Sequence, residues 1–333
     1  NSYFCENLTL MTKILGIGNA LVDALIQIED DSLLNELNLP KGSMQLVDSD
    51  KSTEIQNKSK GLKTEMASGG SAANTIHGLA KLGMETSFIG TVGKDENGNF
   101  FKTDLVKNNI NPLLIMSDSP SGVANTMISK DGERTFGTFL GAAIELSADG
   151  IVEDLFKDHG LLHIEGYLVQ NHDLVESILQ KAKSNGLKIS VDLASYNVVE
   201  DNLEFLQEMI SKYVDIVFAN EEEAKAFTGM EPEDALNSLA QICETAVVKI
   251  GGEGSMIKTG DKIDIVKIDK LTPIDTTGAG DIYAAGFLYG YINNLGNKKS
   301  GEIGSLLASN VIQVIGAKIS DKNWEIINPQ VNN

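Results

Sequence analysis

The segment Asp275-Thr276-Thr277-Gly278-Ala279-Gly280-Asp281 carries the residues of this chain best suited to chemistry. It runs directly into Ile282-Tyr283-Ala284-Ala285-Gly286-Phe287-Leu288, a largely apolar stretch that predicts a helix. Three small residues at that helix's start leave backbone N–H groups uncovered, and the unpaired donors and the helix dipole together favour a phosphate anion. Asp281 sits at the rim. A carboxylate there can take the proton of a substrate hydroxyl while the amides of Gly278, Ala279 and Gly280 hold the charge developing on a transferred phosphoryl group. An acidic cap on a buried helix would explain a bare Gly-Ala-Gly-Asp equally well; the longer string favours the phosphate site.

Four further segments offer chemistry, each with a plainer reading beside it. In Ala67-Ser68-Gly69-Gly70-Ser71-Ala72-Ala73-Asn74, two glycines let the backbone approach a ligand, and Ser71 and Asn74 present polar groups on a helix's first turn. Capping accounts for Ser71 but requires neither Gly69-Gly70 nor Asn74. Gly16-Ile17-Gly18-Asn19-Ala20-Leu21 begins like a dinucleotide fingerprint, yet Leu21 stands where the third glycine would pack. What remains is a strand-end turn that brings Asn19 and Asp23 to the carboxyl edge of a sheet. Asp23 there either takes two vicinal hydroxyls of a polyol or is a turn carboxylate with no ligand. Asn220-Glu221-Glu222-Glu223 opens another helix, whose dipole explains its acids; alternatively Asn220 and Glu223 organise the waters of a Mg²⁺ near phosphates. Lys249-Ile250-Gly251-Gly252-Glu253-Gly254 ends a strand and suits either a nucleotide lying against backbone or a tight turn into a strand at Ser255–Lys258. No Gly-x4-Gly-Lys-Ser/Thr occurs, which excludes a P-loop, and His77, His159, His163 and His172 lack metal-ligand spacing and are read as structural.

The elements that must position these groups alternate in type. Strands are expected at Ile14–Ile17, Ser87–Gly90, Leu161–Ile164, Lys188–Asp192, Asp215–Ala219 and Ala246–Ile250. Helices are expected between them, at Ala72–Leu82, Phe100–Asn108, Asp173–Ser184, Leu203–Ser211, Glu221–Thr228 and Glu233–Cys243. Strands separated by helices imply parallel βαβ units and an α/β, doubly wound, mostly parallel sheet with helices on both faces. Two regions break the alternation, about 25–47 and 111–140. Strand-like pieces at Val123–Ser129 and Thr135–Leu140, joined by Lys130-Asp131-Gly132-Glu133, predict a hairpin there. We read both regions as insertions that build a small β-rich lid on one α/β domain spanning 13–330. Residues 1–12 are read as an N-terminal extension, since Met11-Thr12-Lys13 looks like a natural start.

Composition narrows the partners. A chain of 333 residues with 42% hydrophobic and 22% charged residues is that of a globular protein, with no apolar run long enough for a membrane span. Its formal charge of −20 excludes nucleic-acid and anionic-membrane binding as expected roles. Two cysteines, Cys5 and Cys243, are too few for a disulfide framework, so a cytoplasmic setting is expected.

With Gly69 to Asn74 and Asp275 to Leu288 both present about 200 residues apart, the chain resembles the PfkB, or ribokinase-like, kinase family over nearly its whole length from Lys13. The resemblance implies ATP-dependent phosphorylation of a hydroxymethyl group on a nucleoside or sugar, with Mg²⁺ and, in some members, a monovalent cation. It implies that Asp281 is the base and that Gly278-Ala279-Gly280 form the anion hole. Gly70 and Asn74, with Ser71 on the same turn, would join Asp23 in holding the acceptor, and the nucleotide would lie along Lys249, Gly251 and Gly254 beside Asn220 and Glu223. The pattern departs at Lys249, where many relatives carry threonine. Gly16-Ile17-Gly18-Asn19-Ala20-Leu21-Val22-Asp23 is most similar to the adenosine kinase branch. Arg134 in the hairpin resembles a lid arginine that closes on phosphates, and Tyr167 is placed to stack on a base. Three readings stay open: a nucleoside kinase, a sugar kinase of ribokinase, fructokinase or 2-keto-3-deoxygluconate kinase type, and a non-catalytic ligand-binding protein on the same fold. Either a monomer or a homodimer paired through the lid fits an open strand edge.

Overall fold

The computed structural model describes residues 12–331, so Cys5 and all of the expected N-terminal extension but Thr12 lie outside the described residues. The chain forms β1 (Lys13–Ile17), β2 (Leu21–Gln27), β3 (Met44–Leu46), β4 (Thr64–Gly69), β5 (Thr86–Gly93), β6 (Ile110–Ser117), β7 (Gly122–Ile128) and β8 (Arg134–Phe139) in its first half. After these come β9 (His159–Glu165), β10 (Lys188–Asp192), β11 (Ile216–Asn220), β12 (Thr245–Lys249), β13 (Ser255–Thr259) and β14 (Lys262–Val266). Nine strands make one sheet in the order β14-β13-β12-β11-β10-β9-β1-β5-β6, parallel from β12 to β6 and closed by an antiparallel hairpin at the other edge. The expected doubly wound α/β fold is the observed one.

Burial on both faces explains the apolar runs. In β1, Leu15 and Ile17 pack with the helices His172–Ser184 and Leu203–Tyr213, while Ile14 packs toward the helices Ser71–Lys81 and Ala279–Ile292. Val217 and Ala219 of β11 face the first layer and Ile216 and Phe218 the second, the period-2 division of a pleated strand. Because the chain leaves β1 toward β5 and β6 but later builds β9 through β12 on the other side, the strand order reverses between β1 and β9. Open α/β sheets bind ligands at the carboxyl ends of strands flanking such a reversal.

The five remaining strands form the lid, in the order β3-β8-β7-β2-β4. Ile26, Leu34, Leu37, Ile55 and Met127 cover one of its faces with the helices Ser32–Glu36 and Ser49–Lys58. The other face looks onto the strand ends of the large sheet. The expected hairpin is present, with Gly132 at φ 84° and Ser129 N–H donating to the Glu133 carbonyl at 2.9 Å. Two boundaries differ from the sequence reading. Ile110–Ser117 pairs in parallel with β5 and extends the large sheet, whereas the lid was expected to start at 111; as a half-exposed edge strand it lacks the continuous burial that marks its neighbour. Conversely, β2 and β4 belong to the lid, so Asp23 lies in it and Gly69 ends it. Among the described residues, no helix is long and apolar enough to cross a membrane.

The helix Ala279–Ile292 is buried along most of its length, and its side chains show no polar face. It packs so closely on the helix Asn297–Val311 that a Cβ on Gly286 would lie 2.7 Å from the Gly304 backbone. Gly286→Val is therefore expected to destabilise the protein by about 1–3 kcal/mol through overpacking. Urea denaturation with an unchanged midpoint would show that the helices are not in close contact there.

Candidate active site

A cleft of about 1260 Å³ opens where the lid faces the carboxyl ends of the large sheet. Pockets that take one small ligand run to roughly 300–1,000 Å³, so this cleft is larger than one such ligand needs. Every residue expected at the site lines this cleft except Arg134.

The cleft floor is organised by Glu165, the last residue of β9, which the sequence reading missed. Its Oε1 accepts from Asn19 N–H at 2.9 Å and from Asn19 Nδ2 at 2.6 Å, and its Oε2 accepts from Ala72 N–H at 3.0 Å. One buried carboxylate thus ties the turn after β1 to the first turn of the helix Ser71–Lys81. Burial pushes Glu165 up to about 7, against the pull of those three donors and with the charge of Asp281 adding to the rise. Gly70 lets the second turn close on the first: it takes φ 97°, and a Cβ there would lie 2.1 Å from the Asn19 carbonyl oxygen. Asp23 on β2 faces the same floor. Burial pushes it up to about 6; Asp281 adds to the rise, while Lys318 and Arg134 oppose it.

Asp281 is joined to this arrangement directly. Ser71 Oγ donates to its Oδ1 at 2.7 Å and Asn74 Nδ2 to its Oδ2 at 2.9 Å, and Thr75 Oγ1 donates to its backbone carbonyl at 3.0 Å. Ser71 and Asn74, expected on the acceptor, therefore hold the expected base. Burial raises the pKa of Asp281 above the ordinary aspartate value; the Asn74 and Ser71 donors oppose this, nearby Asp192 reinforces it, and Lys249 pulls it down. Gly278 is the N-cap of the helix at φ 73°, and a Cβ on it would lie 2.4 Å from that of Ala317, so only glycine fits. The turn before it is braced by Asp275, which accepts from Thr277 N–H at 2.9 Å and Gly316 N–H at 2.6 Å.

Arg134, the first residue of β8, reaches this turn. Its guanidinium pairs with Asp275 and donates from Nη1 to Thr277 Oγ1 at 2.9 Å, and the two charged side chains are 9% and 3% exposed. Arg134, expected among the acceptor residues and likened to a lid arginine that closes on phosphates, is paired here with Asp275 and Thr277 and is not among the residues that line the cleft.

The same cleft holds the residues expected at the nucleotide. Asn220 and Glu223 form a reciprocal cap: Asn220 Oδ1 accepts from Glu223 N–H at 2.8 Å, and Glu223 accepts from Asn220 N–H at 2.8 Å and from Asn220 Nδ2 at 2.6 Å. Burial pushes Glu223 up to about 7, Asp192 adds to the rise, and Lys249 opposes it. Lys249 Nζ donates to Asp192 Oδ2 at 2.7 Å. Gly251 and Gly254 continue the wall, which Ile268, Leu271, Ala308 and Ile312 complete with apolar surface. Tyr167 lies 37% exposed at the cleft, its hydroxyl 3.5 Å from the Ala194 carbonyl oxygen. Among the described residues, no cluster of three or more His, Cys, Asp or Glu is arranged to hold a metal ion directly.

The family model for pfkB family carbohydrate kinases matches residues 42–324. The chain belongs to the PfkB family. Solved PfkB-like structures overlay on almost all of it: the probable sugar kinase protein from Rhizobium etli CFN 42 has a TM-score of 0.85 at 30% identity, covering 96% of this chain and 98% of that one. The adenosine kinase from Sinorhizobium meliloti has a TM-score of 0.83 at 31% identity, covering 97% and 99%. An uncharacterized sugar kinase of Archaeoglobus fulgidus is 29% identical over 247 residues, 72% of this chain and 96% of its own. PfkB kinases are sugar or nucleoside phosphotransferases that use ATP.

Glu165 and Asp192 are two charged residues of the cleft that sequence reasoning passed over, although each ends a strand whose position was expected. An acid at the carboxyl end of a central parallel strand was the available signal. For Arg134 the geometry gives a stability test: Arg134→Ala leaves Asp275 buried without its cation and should cost about 3–5 kcal/mol, whereas removing both charges in Arg134→Met/Asp275→Asn should cost less. Chemical denaturation that finds the double variant no more stable than the single would show that the pair is not the brace.

Proposed function

We propose that this chain transfers the γ-phosphoryl group of ATP to the hydroxymethyl oxygen of a nucleoside of the adenosine type. The observation that carries this reading is the placement of Asp281, held by Ser71 and Asn74 at the start of a helix whose Gly278-Ala279-Gly280 turn lines the same cleft. In the proposed reaction the acceptor hydroxyl gives its proton to an Asp281 carboxylate oxygen as its oxygen bonds to the γ-phosphorus. The bond from that phosphorus to the bridging oxygen breaks, and its electron pair leaves with ADP. A loose transition state puts little charge on the attacking oxygen until late, so a carboxylate is a sufficient base when well placed. The Gly278–Gly280 amides would hold the charge of the group in transit.

Asn19, Asp23 and Gly70 would hold the sugar hydroxyls, and Tyr167 would meet the base. Support for a nucleoside comes from the lid, which presents Leu21, Leu46, Phe136 and Leu140 to the cleft. A free sugar has hydroxyls on most sides and would leave some unpaired against that surface, whereas a base covers it. The similarity to the S. meliloti adenosine kinase points the same way. Asn220 and Glu223 fit a Mg²⁺ that arrives with the nucleotide: Glu223 faces the cleft with lone pairs beyond those its cap uses, which suits contact through water. Such an ion neutralises phosphate charge.

Asp281→Asn should lower kcat by roughly 10²-fold or more, the scale of general-base loss, with ATP binding retained. A coupled assay with adenosine and a panel of sugars reads both points. Near-normal turnover by the variant would remove Asp281 from the role, and rapid turnover of one sugar with none of adenosine would replace the nucleoside by that sugar. Because burial holds the Asp281 pKa above the ordinary aspartate value and the ionised form is the one that accepts a proton, activity should fall on acidification with a midpoint above that value. A pH–rate profile flat down to the ordinary aspartate range would contradict this assignment.

A further inference from the structure

The proposed site must bind a polyanion in a protein of charge −20, and its own walls make this harder. Among the described residues Lys249 is the one basic side chain lining the cleft; every other charged side chain there is acidic. Lys249 ends β12, and its ammonium would lie 3.0 Å from a Cβ placed on Gly280. With no side chain on Gly280, the ammonium stands against the helix turn that carries Asp281, so two sources of positive potential, a cation and a helix N-terminus, converge on one spot. Asp192 holds the ammonium from the end of β10 at 2.7 Å, with side-chain exposures of 14% for Lys249 and 7% for Asp192. Burial alone would favour the neutral amine, but Asp192 and Glu223 outweigh it and keep Lys249 charged.

We propose that the Lys249 ammonium contacts the phosphoryl group being transferred, bridging it to the Gly278–Gly280 turn, and that Asp192 is the positioning residue that aims it. This rests on the kinase reading above and sharpens the expected nucleotide contact of Lys249 to the terminal phosphate. It also gives the departure from threonine a physical purpose, because a threonine hydroxyl brings no charge to an acidic wall. The plainer alternative is that the ion pair only braces the ends of β10 and β12.

Calorimetric titration of the whole protein with ADP and with the non-hydrolysable ATP analogue AMP-PNP, each with Mg²⁺, separates the two without any acceptor. Lys249→Met should weaken AMP-PNP binding roughly 10- to 100-fold, the scale of a lost hydrogen bond to a charged group, while ADP affinity stays within about twofold. In turnover the same variant should lose roughly 10²-fold in kcat, more than it changes the KM for ATP, with Lys249→Arg recovering part of the loss. Lys249→Met/Asp192→Asn removes both charges, leaves no unpaired ion, and should show the same selective loss of AMP-PNP. Equal effects on ADP and AMP-PNP in the folded double variant, or none on either, would overturn the proposal. A wild-type protein that binds neither nucleotide would overturn the kinase reading itself.

Discussion

Asp281, the proposed base, is withdrawn from water, yet a carboxylate accepts a proton only while it is charged, and these two conditions oppose each other. Desolvation is the largest influence on Asp281, and Asp192 adds a like charge. Against them stand hydrogen bonds from Ser71 and Asn74, the positive end of the helix Ala279–Ile292, and the cation of Lys249. The opposing groups come from three separate parts of the chain: the helix Ser71–Lys81, the helix that carries Asp281, and the end of β12. The site is therefore a place where several elements must arrive together, and much of the surrounding structure can be read as what makes them do so.

Glu165 accomplishes the first part of that assembly. It lies on β9, on one side of the reversal in strand order, and its hydrogen bonds reach the turn that follows β1 on the other side and the helix that begins at Ser71. Three backbone and side-chain donors satisfy a carboxylate that would otherwise be costly to bury. Thr75 continues the chain of contacts by bonding the backbone of Asp281 itself. A displacement of either glycine-rich element would thus leave polar groups unpaired on more than one element, which favours a single relative position of the two halves of the site.

The large sheet was legible because its central strands are buried on both faces and read as apolar runs between helical segments. The two glycine-rich turns were legible for a different reason: they spend residues in ways that capping alone does not need. Glu165 and Asp192 were not, since one acid at a strand end has no periodic signature and its partners are far away in sequence. The apolar wall formed by Ile268, Leu271, Ala308 and Ile312 was equally silent, because half of it is an irregular segment and half is one face of a helix that has other apolar residues to bury. The sequence reading of Asn220 and Glu223 left capping and metal water as rivals. The reciprocal hydrogen bonds satisfy the cap, and the place of the same carboxylate in the cleft lining is compatible with the second use.

The position of Arg134 changes what the lid is mechanically. Asp23 lies on β2 and Arg134 on β8, and β7 stands between and pairs with both strands, so the cleft-lining Asp23 and the turn-bracing Arg134 belong to one small sheet. Arg134 is buried against Asp275, and Asp275 in turn fixes the Thr277 amide one residue before Gly278. Swinging the lid away from the large sheet would break that ion pair and leave Asp275 without its cation, at a cost on the scale of a broken buried salt bridge. Because the same motion would carry Asp23 away from Asp281, the Arg134–Asp275 pair couples the position of the small sheet to the turn before Gly278. In the proposed phosphoryl transfer that coupling would join water exclusion to turn geometry, in a reaction where water is a competing acceptor and alignment supplies most of the acceleration.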